Sequence, residues 1–270
     1  MQKKIGILGC GWLGFPLAKH FIKKGYQVRG STTSLDKIVS LALHDINPFL
    51  IAIHNHHSEG NLDYFLKDLD VLIISVPAKL KANPESNFVS KMKTLIKKIK
   101  KSNTKNIIFI SSTSVYGNTL KVVDESSPTL PETSSGRQIL EVEKLLMDCT
   151  NLSIKVIRCA GLYGPGRHPV FQLAKKDVLQ HPNQPVNLIH LTDCIGIIDL
   201  IINEPSRRLI INAVAPSHPT RGDYYSAIAK QLNLVLPPFQ ENHSTPGKTI
   251  NSLYINRKLA YEFKFPGLNI

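Results

Sequence analysis

Short apolar runs recur along the chain and alternate with stretches of helical periodicity. The runs are Lys4–Leu8, Tyr26–Arg29, Pro48–Ile53, Val71–Val76, Asn106–Ser111 and Ser153–Arg158. Most are rich in Ile, Leu and Val without clean polar alternation, as in strands buried on both faces. Helical spacing appears near Leu13–Lys24, Leu35–His44, Asn83–Lys101 and Gly136–Cys149. This order predicts an α/β fold with a doubly wound parallel sheet. After Arg158 the alternation weakens. A Pro/Gly-rich stretch (Gly164, Pro165, Gly166, Pro169) precedes a helix near Asp193–Asn203, a strand near Leu209–Asn212 and a helix near Asp223–Leu232. The tail carries Pro237, Pro238, Pro246 and Pro266. The pattern predicts a main domain over residues 1–165. A small lobe over 166–270 would be interleaved with the last sheet elements. No internal repeat is visible.

A hydrophobic fraction of 42% over 270 residues supports a sizeable core. The net charge of +13 suits nucleic acid, a membrane surface, or a phosphorylated cofactor with an anionic substrate. The dense basic segment decides among these. Lys91, Lys93, Lys97, Lys98, Lys100 and Lys101 interleave with an apolar stripe of Phe88, Met92, Leu95, Ile96 and Ile99. That is the pattern of a sheet-covering helix with a solvated lysine face. Nucleic acid is therefore not an expected partner, whereas the exposed flank could join a homodimer. Cys10, Cys149, Cys159 and Cys194 form no C-x-x-C pair and read as reduced thiols of a cytoplasmic protein. Lys3 and Lys4 before an apolar stretch imitate a signal peptide, but no small-x-small cleavage site follows. No apolar run is long enough to span a bilayer, so no membrane association is expected.

The N-terminal stretch has a better explanation. Gly9-Cys10-Gly11-Trp12-Leu13-Gly14 is a G-x-G-x-x-G that follows a buried strand and opens a helix. Gly9 makes the tight turn, Gly11 lets a pyrophosphate approach the backbone, and Gly14 lets helix and sheet pack closely. The anion sits at the helix N-terminus, beside Trp12 and Leu13. This is a dinucleotide-binding Rossmann signature. After the second strand, an NAD site usually places a carboxylate for the ribose hydroxyl. Here Arg29-Gly30-Ser31-Thr32-Thr33 stands, and no acidic residue precedes Asp36. Arg29, Ser31 and Thr32 suit a 2′-phosphate, so NADP is expected ahead of NAD.

Further motifs extend the picture. Ile110-Ser111-Ser112-Thr113-Ser114-Val115-Tyr116-Gly117 ends the fifth strand, and Arg158-Cys159-Ala160-Gly161-Leu162-Tyr163-Gly164-Pro165-Gly166-Arg167 follows the sixth. Asn187-Leu188-Ile189-His190-Leu191-Thr192-Asp193 comes later. In this order they resemble the extended short-chain dehydrogenase/reductases, the NAD-dependent epimerase/dehydratase group. The short lobe and the G-C-G-x-L-G loop most resemble its atypical YeeZ-like branch. The resemblance implies that Ser75, Val76 and Pro77 border the adenosine side of the cofactor. It implies that Ser111 joins the cofactor set and Ser112 takes the catalytic Ser/Thr position. Cys159, Ala160, Gly161 and Leu162 would line the nicotinamide. His190 and Asp193 would mark the return to the sheet. Tyr163, Arg167 and His168 would meet substrate.

The group's chemistry uses a Tyr and a Lys four residues apart on one helix face. Aligned on Glu143, those positions hold Ser135 and Ile139. A serine needs an adjacent base to act near neutral pH, and isoleucine tunes no charge. Tyr116, Tyr163 and His190 are the candidate replacements, with Ser112 and Tyr116 the expected catalytic pair. His54, His56 and His57, near Glu59 and Asp63, read as a surface loop, and no metal centre is expected. The resulting expectation is an NADP(H)-binding oxidoreductase, epimerase or dehydratase. It would act on a sugar-nucleotide or small carbonyl substrate with a non-standard proton donor. The alternative is a non-catalytic cofactor-binding sensor or partner-binding module.

Overall fold

The computed structural model describes residues 2–78, 87–240 and 247–270. Positions 83–86 of the expected fourth helix, and Pro246, lie outside the described residues. Seven strands form one sheet: β1 (Lys4–Leu8), β2 (Gln27–Thr32), β3 (Asn47–Leu50), β4 (Val71–Ile74), β5 (Asn106–Ser112), β6 (Ser153–Cys159) and β7 (Arg208–Ala213). Their spatial order is β3-β2-β1-β4-β5-β6-β7. Parallel registers such as Ile5↔Val28, Ile5↔Val71 and Leu72↔Ile107 join neighbours. The sequence order reverses between β1 and β4, and the carboxyl ends of strands at such a switch point are where α/β sheets hold ligands.

The helices are α1 (Gly14–Lys23), α2 (Asp36–Ala42), α3 (Leu62–Leu66), α4 (Phe88–Lys101), α5 (Ser134–Met147), α6 (Val170–Leu173), α7 (Leu191–Ile201) and α8 (Arg221–Gln231). Side chains of Asn61, Asn87, Thr133 and Thr220 cap α3, α4, α5 and α8 by accepting a backbone N–H, as short polar residues do at N-caps. On α4 the apolar stripe is buried: Phe88, Met92, Leu95 and Ile99 are all at most 3% exposed. Each such side chain contributes about 1.5–3 kcal/mol of transfer free energy. Lys93, Lys97, Lys100 and Lys101 are exposed, and Lys98 pairs with Asp63 at 2.8 Å.

Two expectations about strands shift. β2 runs past Arg29 to Thr32, and β3 ends at Leu50. Ala52–Ile53 leaves the sheet and pairs antiparallel with Ser58–Glu59, so the supposed loop after it is a hairpin.

The chain forms two compact units. The first comprises Met1–Ser111, Thr133–Ile157 and Ile201–Ile210; the second comprises Ser112–Glu132, Arg158–Leu200 and Ile211–Ile270. A single cut near residue 165 therefore does not separate them, because the chain enters the second unit three times. The first unit's core packs Phe65, Leu72, Ile74, Leu95, Ile107, Val142 and Ile154 among others. The second packs Tyr163, Val170, Leu188, Tyr224, Ile228 and Leu268. Within it Val122–Val123 pairs in parallel with Thr249–Ile250, and Gly161–Tyr163 with Leu188–His190.

Candidate functional site

The glycine loop forms the floor of a cavity of about 310 Å³ at the carboxyl ends of β1, β2 and β4. Gly9 has φ +102°, in the region that favours glycine. A Cβ on Gly14 would lie 2.1 Å from the Gly9 carbonyl oxygen, so only glycine permits this turn. A Cβ on Gly11 would meet nothing within 4 Å, because that position faces open space. The loop is pinned to β2: Gly9 N–H donates to Ser31 Oγ at 2.9 Å and Cys10 N–H to the Ser31 carbonyl at 2.7 Å. Helix α1 begins here with no side-chain cap and no acidic residue in its first turn. The Phe15 N–H already donates to the Gly11 carbonyl at 3.0 Å, and the positive end of the helix, free of acidic side chains, suits an anion.

Gly9, Gly11, Ser31, Thr32, Ser75, Val76 and Pro77, all expected from sequence, line this cavity. Trp12, Leu13 and Gly14 continue the same loop into α1. Sequence reasoning missed several lining residues: Cys10, Thr33, Lys37, Ile51, Ile53, Ala78, Phe88, Lys91 and Met92. No Asp or Glu occurs among the described lining residues. Burial pushes the Cys10 thiol up to about 12, which leaves it a neutral wall rather than a nucleophile.

Arg29 is engaged elsewhere. Its Nη1 donates to the carbonyls of Tyr64, Phe65 and Lys67 at 2.7–3.0 Å, closing the C-terminal end of α3. Its guanidinium also stacks 5.2 Å from the Tyr64 ring. The reason is the length of β2. The strand continues to Thr32, so Arg29 sits inside it and not at its carboxyl edge. The cations that line the cavity are Lys37, in the first turn of α2, and Lys91 on α4.

Helix α5 carries no Tyr and Lys four residues apart. Ile139 packs against the first unit's apolar core, as Val76 and Ala78 also do. Gln138 Oε1 accepts the Phe88 N–H at 2.8 Å. The Ser111 hydroxyl donates to Glu143, whose side chain is 2% exposed. Ser111 therefore spends its hydroxyl within the fold.

The remaining predicted residues belong to the second unit. Ser112 Oγ accepts the Ser114 N–H at 3.1 Å and starts the short turn Thr113–Val115. Tyr116 is not placed for proton transfer. It is 2% exposed, donates to Asn212 Oδ1 at 2.9 Å and accepts from Arg158 Nη1 at 2.8 Å. Burial raises its pKa, against the pull of Arg158. Asn212 N–H in turn donates to Glu125, which also accepts from Ser252 and from the Leu253 N–H. This buried network holds three stretches of chain together.

Cys159 and Ala160 are buried, Gly161 is exposed and Leu162 half-buried. The Cys159 and Cys194 sulfurs lie 3.7 Å apart as free thiols. Tyr163 is fully buried, and burial raises its pKa. His190 is buried at 7% exposure, its Nδ1 accepts the Thr192 N–H, and Phe265 lies 3.6 Å from its ring. Burial lowers its pKa, against the nearby Asp193. Asp193 itself is an anchor that the sequence did not reveal. It is fully buried and accepts from Tyr261 Oη, Lys264 N–H and Phe265 N–H at 2.7–3.0 Å.

His168 is not available to an anionic substrate. It is 6% exposed, its Nδ1 accepts the Val170 N–H at 3.2 Å, and Nε2 meets Tyr224 Oη at 2.9 Å. Burial alone lowers its pKa to about 4, so it is neutral near pH 7. Arg167 is exposed on the Gly164–Arg167 turn.

No helix among the described residues is long and apolar enough to cross a membrane. Residues 5–208 match the NAD dependent epimerase/dehydratase family. Protein YeeZ of Escherichia coli K12 is 36% identical over 268 residues, covering 98% of this chain and 97% of its own. A UDP-glucuronic acid 4-epimerase from Bacillus cereus, solved with NAD, superposes with a TM-score of 0.79 at 20% identity over 96% of this chain and 91% of its own. A functionally unknown conserved protein from Silicibacter pomeroyi superposes with a TM-score of 0.75 at 22% identity over 98% and 95%. At these identities the solved structures speak to the fold.

Proposed function

The chain belongs to the NAD-dependent epimerase/dehydratase family, and on that premise we propose that it binds NADP(H) in the glycine-loop cavity. The observation that carries this reading is the lining. Gly11 leaves space for a pyrophosphate at the uncapped start of α1. Lys37 stands with Ser31, Thr32 and Thr33 where β2 ends, without a described carboxylate. A lysine there favours a 2′-phosphate by charge, and hydroxyls favour it by hydrogen bonding. When bound, the nicotinamide gives or takes a hydride. The chain's own residues hold the cofactor and exclude a carboxylate from its 2′ position.

The substrate in this reading is a sugar-nucleotide or small carbonyl compound. Proton transfer comes from neither Tyr116 nor α5. The hydroxyl left at the family's catalytic position is that of Ser112. A second reading is a cofactor-binding module without turnover. The burial of Tyr116 and the Ser135/Ile139 pair on α5 favour it.

Titration of the single tryptophan, Trp12, with NADPH and NADH tests the cofactor reading. Wild type should prefer NADPH by at least about tenfold, a difference of about 1.4 kcal/mol. Lys37→Glu should abolish the preference and Arg29→Ala should keep it. The reverse pattern would return the 2′ position to Arg29. Consumption of NADPH with a panel of carbonyl compounds then separates the two readings, since a pure binding module shows none.

A further inference from the structure

Among the described residues one group of metal-ligating side chains converges: His54, His57 and Glu59, on the hairpin after β3. The hairpin is built to hold them. Ala52 pairs with Glu59 and Ile53 with Ser58. His54 N–H donates to the His57 carbonyl at 2.9 Å and closes the turn. Thr94 Oγ1 on α4 donates to the Asn55 carbonyl at 2.9 Å and ties the tip to the helix. The two imidazoles stack with centroids 4.5 Å apart and planes 13° apart. Their Nε2 atoms lie 3.1 and 3.8 Å from Glu59 Oε1, and the three ligand atoms all lie within 4.8 Å of one another.

Two readings compete for this geometry. As plain polar contacts with Glu59, the two histidines contribute little, because their side chains are 42% and 65% exposed. As ligands, the two exposed rings must turn out of their stack so that both Nε2 lone pairs meet one ion. The three atoms must also close to about 3.3 Å, the spacing set by bonds of about 2.0–2.1 Å in a tetrahedral site. Two imidazoles and a carboxylate suit a borderline cation and not the all-oxygen shell of magnesium or calcium. We propose that His54, His57 and Glu59 form a site for a zinc-class divalent cation, with water completing the shell. His56, adjacent in sequence but outside the cluster, takes no part.

The test uses the full untagged chain, stripped with chelator and titrated with zinc chloride by calorimetry. Substitution with cobalt(II) gives a spectrum that reports nitrogen and oxygen ligands. Circular dichroism checks each variant's fold. One zinc ion per chain should bind, and His57→Ala and Glu59→Gln should each weaken it by more than about tenfold. His56→Ala should leave it unchanged, and excess magnesium should not compete. Wild-type affinity in folded His57→Ala and Glu59→Gln, equal weakening by His56→Ala, or no zinc binding at all would overturn the proposal.

Discussion

Acid should selectively weaken the fold through His168. The imidazole accepts the Val170 N–H at Nδ1, which puts its proton on Nε2 facing Tyr224 Oη. Tyr224 in turn donates to the Leu268 carbonyl at 3.0 Å. The neutral ring thus fills a chain of bonds that a second proton would break. Its folded pKa is about 4 against an ordinary 6.5. Between those values the unfolded chain holds the extra proton, so stability rises with pH through this window. The contribution is fully present above about pH 6.5 and is lost as pH falls toward about 4. The gap corresponds to about 3 kcal/mol over the whole window, and to about 2 kcal/mol between about pH 7 and pH 5. Burial lowers the pKa of His190 and His218 too, so wild type carries further loss of the same sign. Urea denaturation of wild type and His168→Asn at the two pH values isolates the term. The variant should be less stable near neutrality but lose about 2 kcal/mol less on acidification. Equal losses in the two proteins, or an NMR titration midpoint for His168 near 6.5, would refute the reasoning.

Other substitutions probe the loop and the buried network. Gly14→Ala drives a Cβ against the Gly9 carbonyl. It should cost about 1–3 kcal/mol of stability and abolish NADPH binding, measured by thermal melting and Trp12 quenching. Tyr116→Phe removes the hydroxyl shared by Arg158 and Asn212. Stability should fall by about 1–3 kcal/mol with cofactor affinity unchanged; unaltered stability with lost turnover would mark Tyr116 as catalytic after all.

Sheet, glycine loop and the lysine-faced helix were legible because each rests on local information. Apolar runs without alternation mark buried strands, and Gly9, Gly11 and Gly14 have a spacing with one steric explanation. Arg29 misled because a strand's end is set by pairing, and the pairing of Thr32 with Leu50 is invisible in composition. Lys37 was overlooked for the same reason. Tyr116 stood out as a candidate proton donor beside a conspicuous serine run. Asn212, which buries it, lies 96 residues away in sequence, and no periodicity links them. His168 followed a Pro/Gly turn that suggested a surface, yet Tyr224 and Leu268 come from distant segments to cover it. The histidine run read as a loop because a hairpin of such short strands has no pattern to show. The departure at Ser135 and Ile139, by contrast, was plain from spacing alone.

The carboxylate of Glu125 carries a consequence for synthesis on the ribosome. Ser252, one of its partners, lies 127 residues further along the chain, and Val122 waits for Thr249 in the same way. At translation rates of about 5–20 residues per second, that interval is on the order of ten seconds. Throughout it the Ser112–Glu132 stretch is out of the exit tunnel without the strand that completes it. The glycine loop and the first four strands of the sheet, by contrast, have emerged together long before. That part of the sheet can therefore take shape while translation continues, whereas the second unit closes only after Thr249 and Ser252 have followed.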